Sequence, residues 1–564
     1  MPIDLMTTQG ENLSGTPWQV YPRPQMRRSS YVNLNGQWDY AVTPGDDLPG
    51  SYDRWILVPF CPESQLSGVK EHPTDGEFMF FRRKFTLPAE FGQGRVLLHI
   101  GAADQETFIY VNQKLCGQHV GGYDNQVYDI TDALQAENEL VIRCYDNLTD
   151  KSFPYGKQTL KRGGMWYTPV SGIWQTVWLE SVPERYIEKL NIENRGNSVI
   201  VSIEPNLDGM VTVTGLGEFA LENGSVTITP GKPHYWSPED PYLYDFVVEA
   251  GEDRVESYFA IRTLEIKKVG NYQRLCLNGK PYFFHGLLDQ GYWPDGLFTP
   301  AAPECYAEDI LEMKKLGFNT LRKHIKVEPE EFYYQCDKLG MIVFQDMVNN
   351  GDYSFFRDTA LPTIGIQKLN DRNFHKDEKV RKMFLSSMEA TVNQLKNHPC
   401  ICYWTIFNEG WGQFDSDNVY GIFKKLDDTR FVDSTSGWFR RKKTDVDSRH
   451  VYFKPIKLKA ADKPLVLSEF GGYSFKPADH VFNTEQTYGY GKFEDQTAFA
   501  EAVEKLYRVQ VIPAAKAGLC AAIYTQVSDV EDETNGLRSY DRKVEKLTPE
   551  RMKPIAEELQ KAIE

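Results

Sequence analysis

The stretch that decides the fold is residues 319–345, NTLRKHIKVEPEEFYYQCDKLGMIVFQ. Residues 319–322 have the composition of a strand, and residues 329–339 have the apolar spacing of an amphipathic helix that Gly340 is placed to end. Residues 341–345 then form a second apolar strand. This order predicts one βα unit of a parallel sheet.

The same rhythm continues over the last half of the chain and predicts a TIM (β/α)8 barrel. Further helices are predicted at residues 304–316 and 380–397, and residues 348–377 have little periodicity, which is typical of a loop insertion that shapes an active site. Eight candidate strands start near Tyr282, Asn319, Met341, Cys400, Phe431, His450, Leu465 and Leu519.

The first half of the chain has a different pattern, with short alternating strands separated by Gly, Asp and Asn. This pattern is typical of β-sandwiches. We therefore expect a multidomain chain: an N-terminal β-sandwich (jelly roll) over residues 1–182, an immunoglobulin-like β-sandwich over 183–268, and a catalytic barrel over 269–564.

Composition excludes several classes of function. The net charge is −16 and no basic stripe is visible, so we expect no nucleic-acid partner. No apolar run reaches membrane-spanning length and no signal peptide is visible, which predicts a cytoplasmic protein with no membrane partner. The 9 cysteines are scattered and lack metal-ligand spacing, so no disulfide framework, metal or cofactor is predicted.

Two glutamates follow apolar strands of the predicted barrel. Glu409 ends YWTIFNE at residues 403–409, and Glu469 ends PLVLSE at residues 464–469. Because catalytic groups of TIM barrels lie at the carboxyl ends of the strands, we expect the two to meet there. Pairing with a structural cation is the alternative for either one alone. A pair suits glycoside hydrolysis, in which one carboxylic acid protonates the leaving oxygen and one carboxylate attacks the anomeric carbon. Asn408 would then donate a hydrogen bond to the sugar 2-hydroxyl.

Five motifs make the chain resemble glycoside hydrolase family 2, the family of β-galactosidases, β-glucuronidases and β-mannosidases. The matching stretches are residues 32–38, 171–180, 317–322, 404–409 and 467–471. The resemblance covers nearly the whole chain. It implies a sugar-binding-type first sandwich, hydrolysis with net retention, Glu409 as acid/base and Glu469 as nucleophile.

Further substrate-binding residues are predicted at strand ends and in one loop. These are Arg322, His324, Asp289, Tyr452, Trp404, Tyr524 and Trp166. By the resemblance, Arg322 orients the nucleophile and Tyr452 contacts it. Four of these residues have a purely structural alternative: a barrel salt bridge for Arg322, a neutral core histidine for His324, a loop cap for Asp289 and a sandwich loop for Trp166. Trp404 and Tyr524 are expected to form walls.

The sugar is the least determined feature. The Asn-x-Lys motif with which β-glucuronidases of the family bind the sugar carboxylate is absent around Asn535, and the acidic run 531–533 would repel a uronic acid. We therefore expect a neutral sugar, by default a β-galactoside, on a small-molecule or oligosaccharide glycoside. A β-glucuronide, β-galacturonide or α-L-arabinoside is the alternative, and a non-catalytic carbohydrate-binding protein is the alternative of another class. Neither a Gly-x-Ser-x-Gly elbow nor a His-Glu-x-x-His motif is present. A homo-oligomer is possible by family analogy.

Overall fold

The computed structural model describes residues 3–89, 91, 94–366, 370–452, 454–459 and 462–563. Its N-terminal part is a β-sandwich whose alternating strands bury Trp38, Phe81, Leu98 and Ile142 between two antiparallel sheets. The larger sheet has the order Arg54–Val58, Gly36–Thr43, Phe78–Phe85, Asn138–Tyr145, Glu106–Val111, Lys114–Val120. The smaller has the order Tyr31–Asn33, Val177–Val182, Arg95–Ile100, Gln126–Asp129. Ala103–Asp104 pairs with Gly172–Ile173.

A second, smaller sandwich follows, and its core includes Val201, Val211, Phe246 and Phe259. Its sheets have the orders Lys189–Arg195, Ser198–Glu204, Ser225–Ile228 and Gly217–Leu221, Gly209–Val213, Tyr244–Ala250, Asp253–Phe259. A three-stranded sheet of Leu264–Val269, Tyr272–Leu277 and Lys280–Pro281 leads into the last domain.

The last domain is a parallel eight-stranded barrel. Its strands are β1 Phe284–Asp289, β2 Thr320–Lys323, β3 Ile342–Asp346, β4 Ile401–Asn408, β5 Phe431–Ser436, β6 Asp447–Val451, β7 Leu465–Gly471 and β8 Leu519–Thr525. Their order is β5-β4-β3-β2-β1-β8-β7-β6. Strands β5 and β6, at the two ends of this order, are in contact: the hydroxyls of Ser436 and Ser448 lie 3.2 Å apart. The fold class predicted from the sequence is confirmed, whereas the exact domain limits stay predictions.

Helices cover the outside of the barrel. They span Glu304–Lys315, Glu330–Leu339, Glu378–Leu395, Ser416–Leu426, Gln496–Leu506, Ile512–Lys516 and Pro549–Lys561, and a short helix, Thr8–Glu11, lies near the N-terminus. Gly340 ends its helix at a φ of 75°, as predicted. Pro329 is extended, with φ −52° and ψ 146°, so it precedes the helix. None of the helices among the described residues combines the length and apolar character needed to span a membrane.

Two long segments converge above the β-strand ends and position the site. The aperiodic stretch after β3 contains only the short turns Phe355–Ala360, Leu361–Thr363 and Asp371–Asn373 among its described residues. A loop of the first sandwich reaches across to it, where the Tyr155 backbone N–H donates to the Asn349 carbonyl at 3.0 Å. The loop's Trp166 packs edge-on against Trp411 of the barrel, with ring centroids 4.9 Å apart.

Candidate active site

The two predicted carboxylates meet at one rim of the barrel. Glu409 follows β4 directly, and Glu469 lies near the carboxyl end of β7, two residues before its last residue. An oxygen of each carboxylate lies within 4.8 Å of the other. Their surroundings differ, because the Glu409 side chain is 27% exposed and that of Glu469 is 5% exposed. The Glu409 carboxylate is therefore accessible to a bound molecule or to water, whereas the Glu469 carboxylate is fixed in the wall of the site.

Hydrogen bonds hold both oxygens of Glu469. Arg322 Nη1 donates to Oε1 at 3.0 Å, and the Tyr452 hydroxyl donates to Oε2 at 2.5 Å. The same guanidinium is itself anchored by Asp346 Oδ1 at 3.0 Å and donates through Nη2 to Asn408 Oδ1 at 2.8 Å. One buried arginine thus orients both the Glu469 carboxylate and the amide beside Glu409.

This environment keeps Glu469 ionised. Burial by itself would raise the pKa of the Glu469 carboxyl, but His450, Arg322 and His324, with the Tyr452 hydroxyl, outweigh burial and bring the pKa to about 2. An ionised, oriented and partly desolvated carboxylate is a competent nucleophile at neutral pH.

His450 lies between the two carboxylates and was not among the residues predicted for the site. Its Nδ1 is 2.7 Å from Glu409 Oε1 and 3.5 Å from Glu469 Oε2, and its Nε2 is 3.0 Å from Ser436 Oγ. The sequence contained a signal for it, because His450 and Tyr452 are two residues apart on one extended segment and so point to the same face.

A small cavity of about 60 Å³ opens over the carboxylates. This exceeds the roughly 10–15 Å³ that a cavity needs to hold one water, so the space over the carboxylates is accessible to solvent. Of the residues predicted to bind substrate, Asn408, His324, Tyr452 and Trp166 line it. Arg322 lies behind the wall and acts through its hydrogen bonds. The structure thus brings together four distant segments of the barrel and a loop of the first sandwich.

Three predicted residues lie elsewhere. Asp289 does not line the cavity but accepts an ion-paired hydrogen bond from Lys323 Nζ at 2.7 Å. Trp404 lies in the core, where its indole N–H donates to Asp427 at 2.8 Å. The buried Tyr524 hydroxyl accepts a backbone N–H. Trp404 and Tyr524 lie on β4 and β8, which are buried along their whole length, so these apolar runs do not reveal which side chains point inward.

Polar residues that were not predicted to bind substrate complete the cavity. Lys157, from the first sandwich, and Gln290, Glu533 and Asn535 all line it. Among the described residues Lys157 Nζ has no ion pair or hydrogen bond, and the nearest aromatic ring, Tyr167, has its centroid 5.7 Å away. Burial raises the pKa of the Glu533 carboxyl, and the Lys157 cation, which lines the same cavity, opposes that rise.

The other two acids of the run 531–533 turn away from the cavity. Glu531 and Asp532 are buried against Arg162, whose Nη1 lies 3.6 Å from Glu531 Oε2 and 3.4 Å from Asp532 Oδ1. Of the acidic run 531–533, Glu533 is therefore the residue that would repel a uronic acid, and the positive charge of Lys157 counteracts that repulsion.

Glu409, His450 and Glu469 are also of the residue types that bind metals, and their donor atoms lie within 4.8 Å of one another. A cation there would compete with Arg322 and Tyr452, which already donate to the Glu469 oxygens. The arrangement is therefore better suited to proton transfer and nucleophilic attack by the side chains themselves.

Comparison with known proteins gives consistent matches. A family model described as "Glycosyl hydrolases family 2" matches residues 189–262, and one described as "Glycosyl hydrolases family 2, TIM barrel domain" matches residues 267–472. A β-galactosidase of Thermoanaerobacter pseudethanolicus is 25% identical over 71% of this chain and 54% of its own length. A putative β-glucuronidase of Formosa agariphila is 24% identical over 71% of this chain and 48% of its own length. The chain thus spans about half the length of these curated relatives.

Among solved structures, a β-D-glucuronidase of Dictyoglomus thermophilum has the same fold, with a TM-score of 0.72 and 18% identity over 96% of this chain and 98% of that chain. The two family models lie side by side, from the second sandwich through β7, and both glutamate strands, with residues 404–409 and 467–471, lie within the barrel match. On these grounds the chain belongs to glycoside hydrolase family 2.

Proposed function

We propose that this chain is a retaining exo-β-glycosidase that works by double displacement, with Glu469 as nucleophile and Glu409 as acid/base. The observation that carries the proposal is the pair of carboxylates within 4.8 Å, both lining one small cavity at the rim of the barrel. Retaining enzymes hold the two groups about 5–5.5 Å apart, whereas inverting enzymes need about 6.5–9.5 Å to admit a water between them.

The chemistry follows from the two environments. Glu469 attacks the anomeric carbon while protonated Glu409 gives its proton to the leaving oxygen, so the glycosidic bond breaks as a glycosyl ester forms. Glu409, now a carboxylate, takes a proton from water, which attacks the same carbon and releases Glu469. Because Arg322 donates to Asn408 Oδ1, the amide NH₂ of Asn408 is left to donate to the sugar 2-hydroxyl.

For the sugar we propose a neutral ring, with β-galactoside as the first candidate. Lys157 supplies donors and Glu533 an acceptor on the same cavity, and together they are neutral, which suits hydroxyl groups. A β-uronide is the second candidate, because Lys157 is a half-buried cation with no ionic partner among the described residues. The relatives include both β-galactosidases and a putative β-glucuronidase.

The test is hydrolysis of a panel of nitrophenyl glycosides: β-galactoside, β-glucoside, β-mannoside, β-xyloside, β-glucuronide, β-galacturonide and α-L-arabinoside. Glu409→Gln and Glu469→Gln are assayed beside Glu389→Gln, an exposed helix carboxylate that serves as the matched control. We expect the first two variants to lose activity while remaining folded by circular dichroism, and the control to retain it. Activity that survives Glu469→Gln would refute the assignment of the nucleophile.

Lys157→Met separates the two candidate sugars. If a uronide is the substrate, the variant should lose about 10- to 100-fold in kcat/KM on it, because a desolvated charge-assisted hydrogen bond is lost. If the sugar is neutral, the loss should be under tenfold, with a larger effect of Glu533→Gln. Saturable sugar binding without turnover by any panel member would instead favour the carbohydrate-binding alternative.

A further inference from the structure

A second, larger cavity adjoins the small one at Glu409. We call it the outer cavity; its volume is about 570 Å³. The two are continuous, because they share six lining residues: Met165, Tyr353, Glu409, Tyr452, Tyr488 and Tyr490. Because the acid/base must reach the oxygen of the leaving group, the part of a substrate beyond that oxygen extends on this side. If the proposed glycosidase function holds, the outer cavity is where the aglycone lies.

Flat and apolar side chains dominate the lining of the outer cavity. Phe355 and Trp438 contribute ring faces, and Pro362, Val451 and Leu458 add aliphatic surface. Phe355 is 68% exposed, so its ring is accessible to a molecule that enters the outer cavity. It belongs to the aperiodic segment after β3, which the sequence already indicated as an active-site insertion.

The lining also contains polar side chains, among them the exposed Lys454 and Lys457, Thr359 and four tyrosines. Glu409 is the sole carboxylate among the described lining residues. The Arg449 guanidinium is paired with Asp447 at 2.7 Å, and the Tyr353 hydroxyl is hydrogen-bonded to Thr359. The apolar part of the lining, which includes Phe355, Pro362 and Leu458, offers the hydroxyls of an oligosaccharide no hydrogen-bond partner, so each hydroxyl buried against it carries a cost. A planar aromatic group needs no such partners and gains from ring contacts.

We infer that the outer cavity is an aglycone site for aromatic groups larger than one ring, so that the substrates are β-glycosides of polycyclic or biaryl phenols. The volume lies in the range of about 300–1,000 Å³ typical of sites for drug-sized molecules. A phenol is also a better leaving group than a sugar alcohol, which lessens the demand on the proton from Glu409.

The experiment compares phenyl and 4-phenylphenyl glycosides of the sugar that the panel identifies. The two phenols have closely similar acidity, so a difference in kcat/KM reports contacts with the second ring. We expect about ten- to thirtyfold higher kcat/KM for the 4-phenylphenyl glycoside. Phe355→Ala should reduce the preference below threefold, through a larger loss of kcat/KM on the 4-phenylphenyl glycoside than on the phenyl glycoside.

Phe356→Ala is the matched control, because Phe356 is the same residue type, adjacent in the chain and 69% exposed, and is not among the lining residues of the outer cavity. Equal rates for the two aryl glycosides, equal effects of both variants, or a preference for a disaccharide glycoside would overturn the inference. Calorimetric binding of free 4-phenylphenol gives a readout independent of turnover. Binding to wild type that Phe355→Ala weakens supports the aromatic site even if no glycoside is cleaved; no binding refutes it.

Discussion

Tyr452→Phe removes a hydroxyl that donates a hydrogen bond to Glu469, the more buried carboxylate of the site. That hydroxyl donates to Glu469 Oε2 at 2.5 Å and also lies 3.0 Å from Thr525 Oγ1. The ring packs on Tyr490 with centroids 4.4 Å apart, and phenylalanine keeps that contact. The substitution therefore tests one hydrogen bond while leaving the wall of the cavity in place.

The size of the effect follows from the charge on the acceptor. A hydrogen bond to a charged group contributes about 1.5–3 kcal/mol, and 1.36 kcal/mol corresponds to one pKa unit, so the pKa of Glu469 should rise by roughly 1–2 units. It starts at about 2, below the ordinary value of 4.5. The sign is fixed, because losing a donor to the charged form raises the pKa of an acid. The stability that ionised Glu469 contributes above pH 4.5, and loses as the pH falls towards 2, should shrink accordingly.

The assay is kcat/KM against pH from acid to neutral, on the glycoside that the panel identifies. We expect a loss of about 10- to 100-fold at pH 7, because the carboxylate is less well held for attack, and an acid limb shifted to higher pH by about 1–2 units. Tyr524→Phe is the control, since it removes a buried hydroxyl that touches neither carboxylate. Activity within twofold of wild type together with an unmoved acid limb would refute the assigned role of the Tyr452 hydroxyl.

Three further substitutions probe other parts of the structure. Arg28→Met leaves Glu180 buried without one of its cations and should cost about 3–5 kcal/mol in urea unfolding, so a loss below 1 kcal/mol would contradict the reasoning. Gly410→Ala places a Cβ 2.3 Å from the Phe439 ring at a φ of +75°, so thermal melting should show a loss of about 1–3 kcal/mol, with lower activity, whereas an unchanged melting temperature would argue against strain there. His450→Ala removes the ring 2.7 Å from the acid/base carboxylate, and kcat should fall about 10- to 100-fold in steady-state assays; a fall below threefold would mean that the contact is dispensable.

Predictions based on local pattern were the most successful. Each observed barrel strand begins within three residues of its predicted start, as with Asn319 against Thr320 and His450 against Asp447. The periodicity of a strand or helix depends on residues that are close in the sequence, so these elements can be predicted without the tertiary structure. The convergence of Glu409 and Glu469 could be expected for the same reason, because parallel strands of one barrel end at one rim.

Predictions of which other side chains face the site were less successful, for a physical reason. Strand β4 is buried along its entire length, so its sequence has no polar alternation to show that Asn408 points inward and Trp404 outward. Lys157 could not be found from the barrel sequence at all, because it comes from a loop of another sandwich.

The sequence by itself determined the order of sandwiches and barrel and the two glutamates at the strand ends, since both follow from short-range patterns of apolar and polar residues. Only the tertiary structure decided that His450 lies between the two carboxylates, that Lys157 and Glu533 line the cavity over those carboxylates, and that Phe355 lies near the same rim of the barrel. These contacts join residues far apart in the chain, and packing rather than local propensity sets their distances.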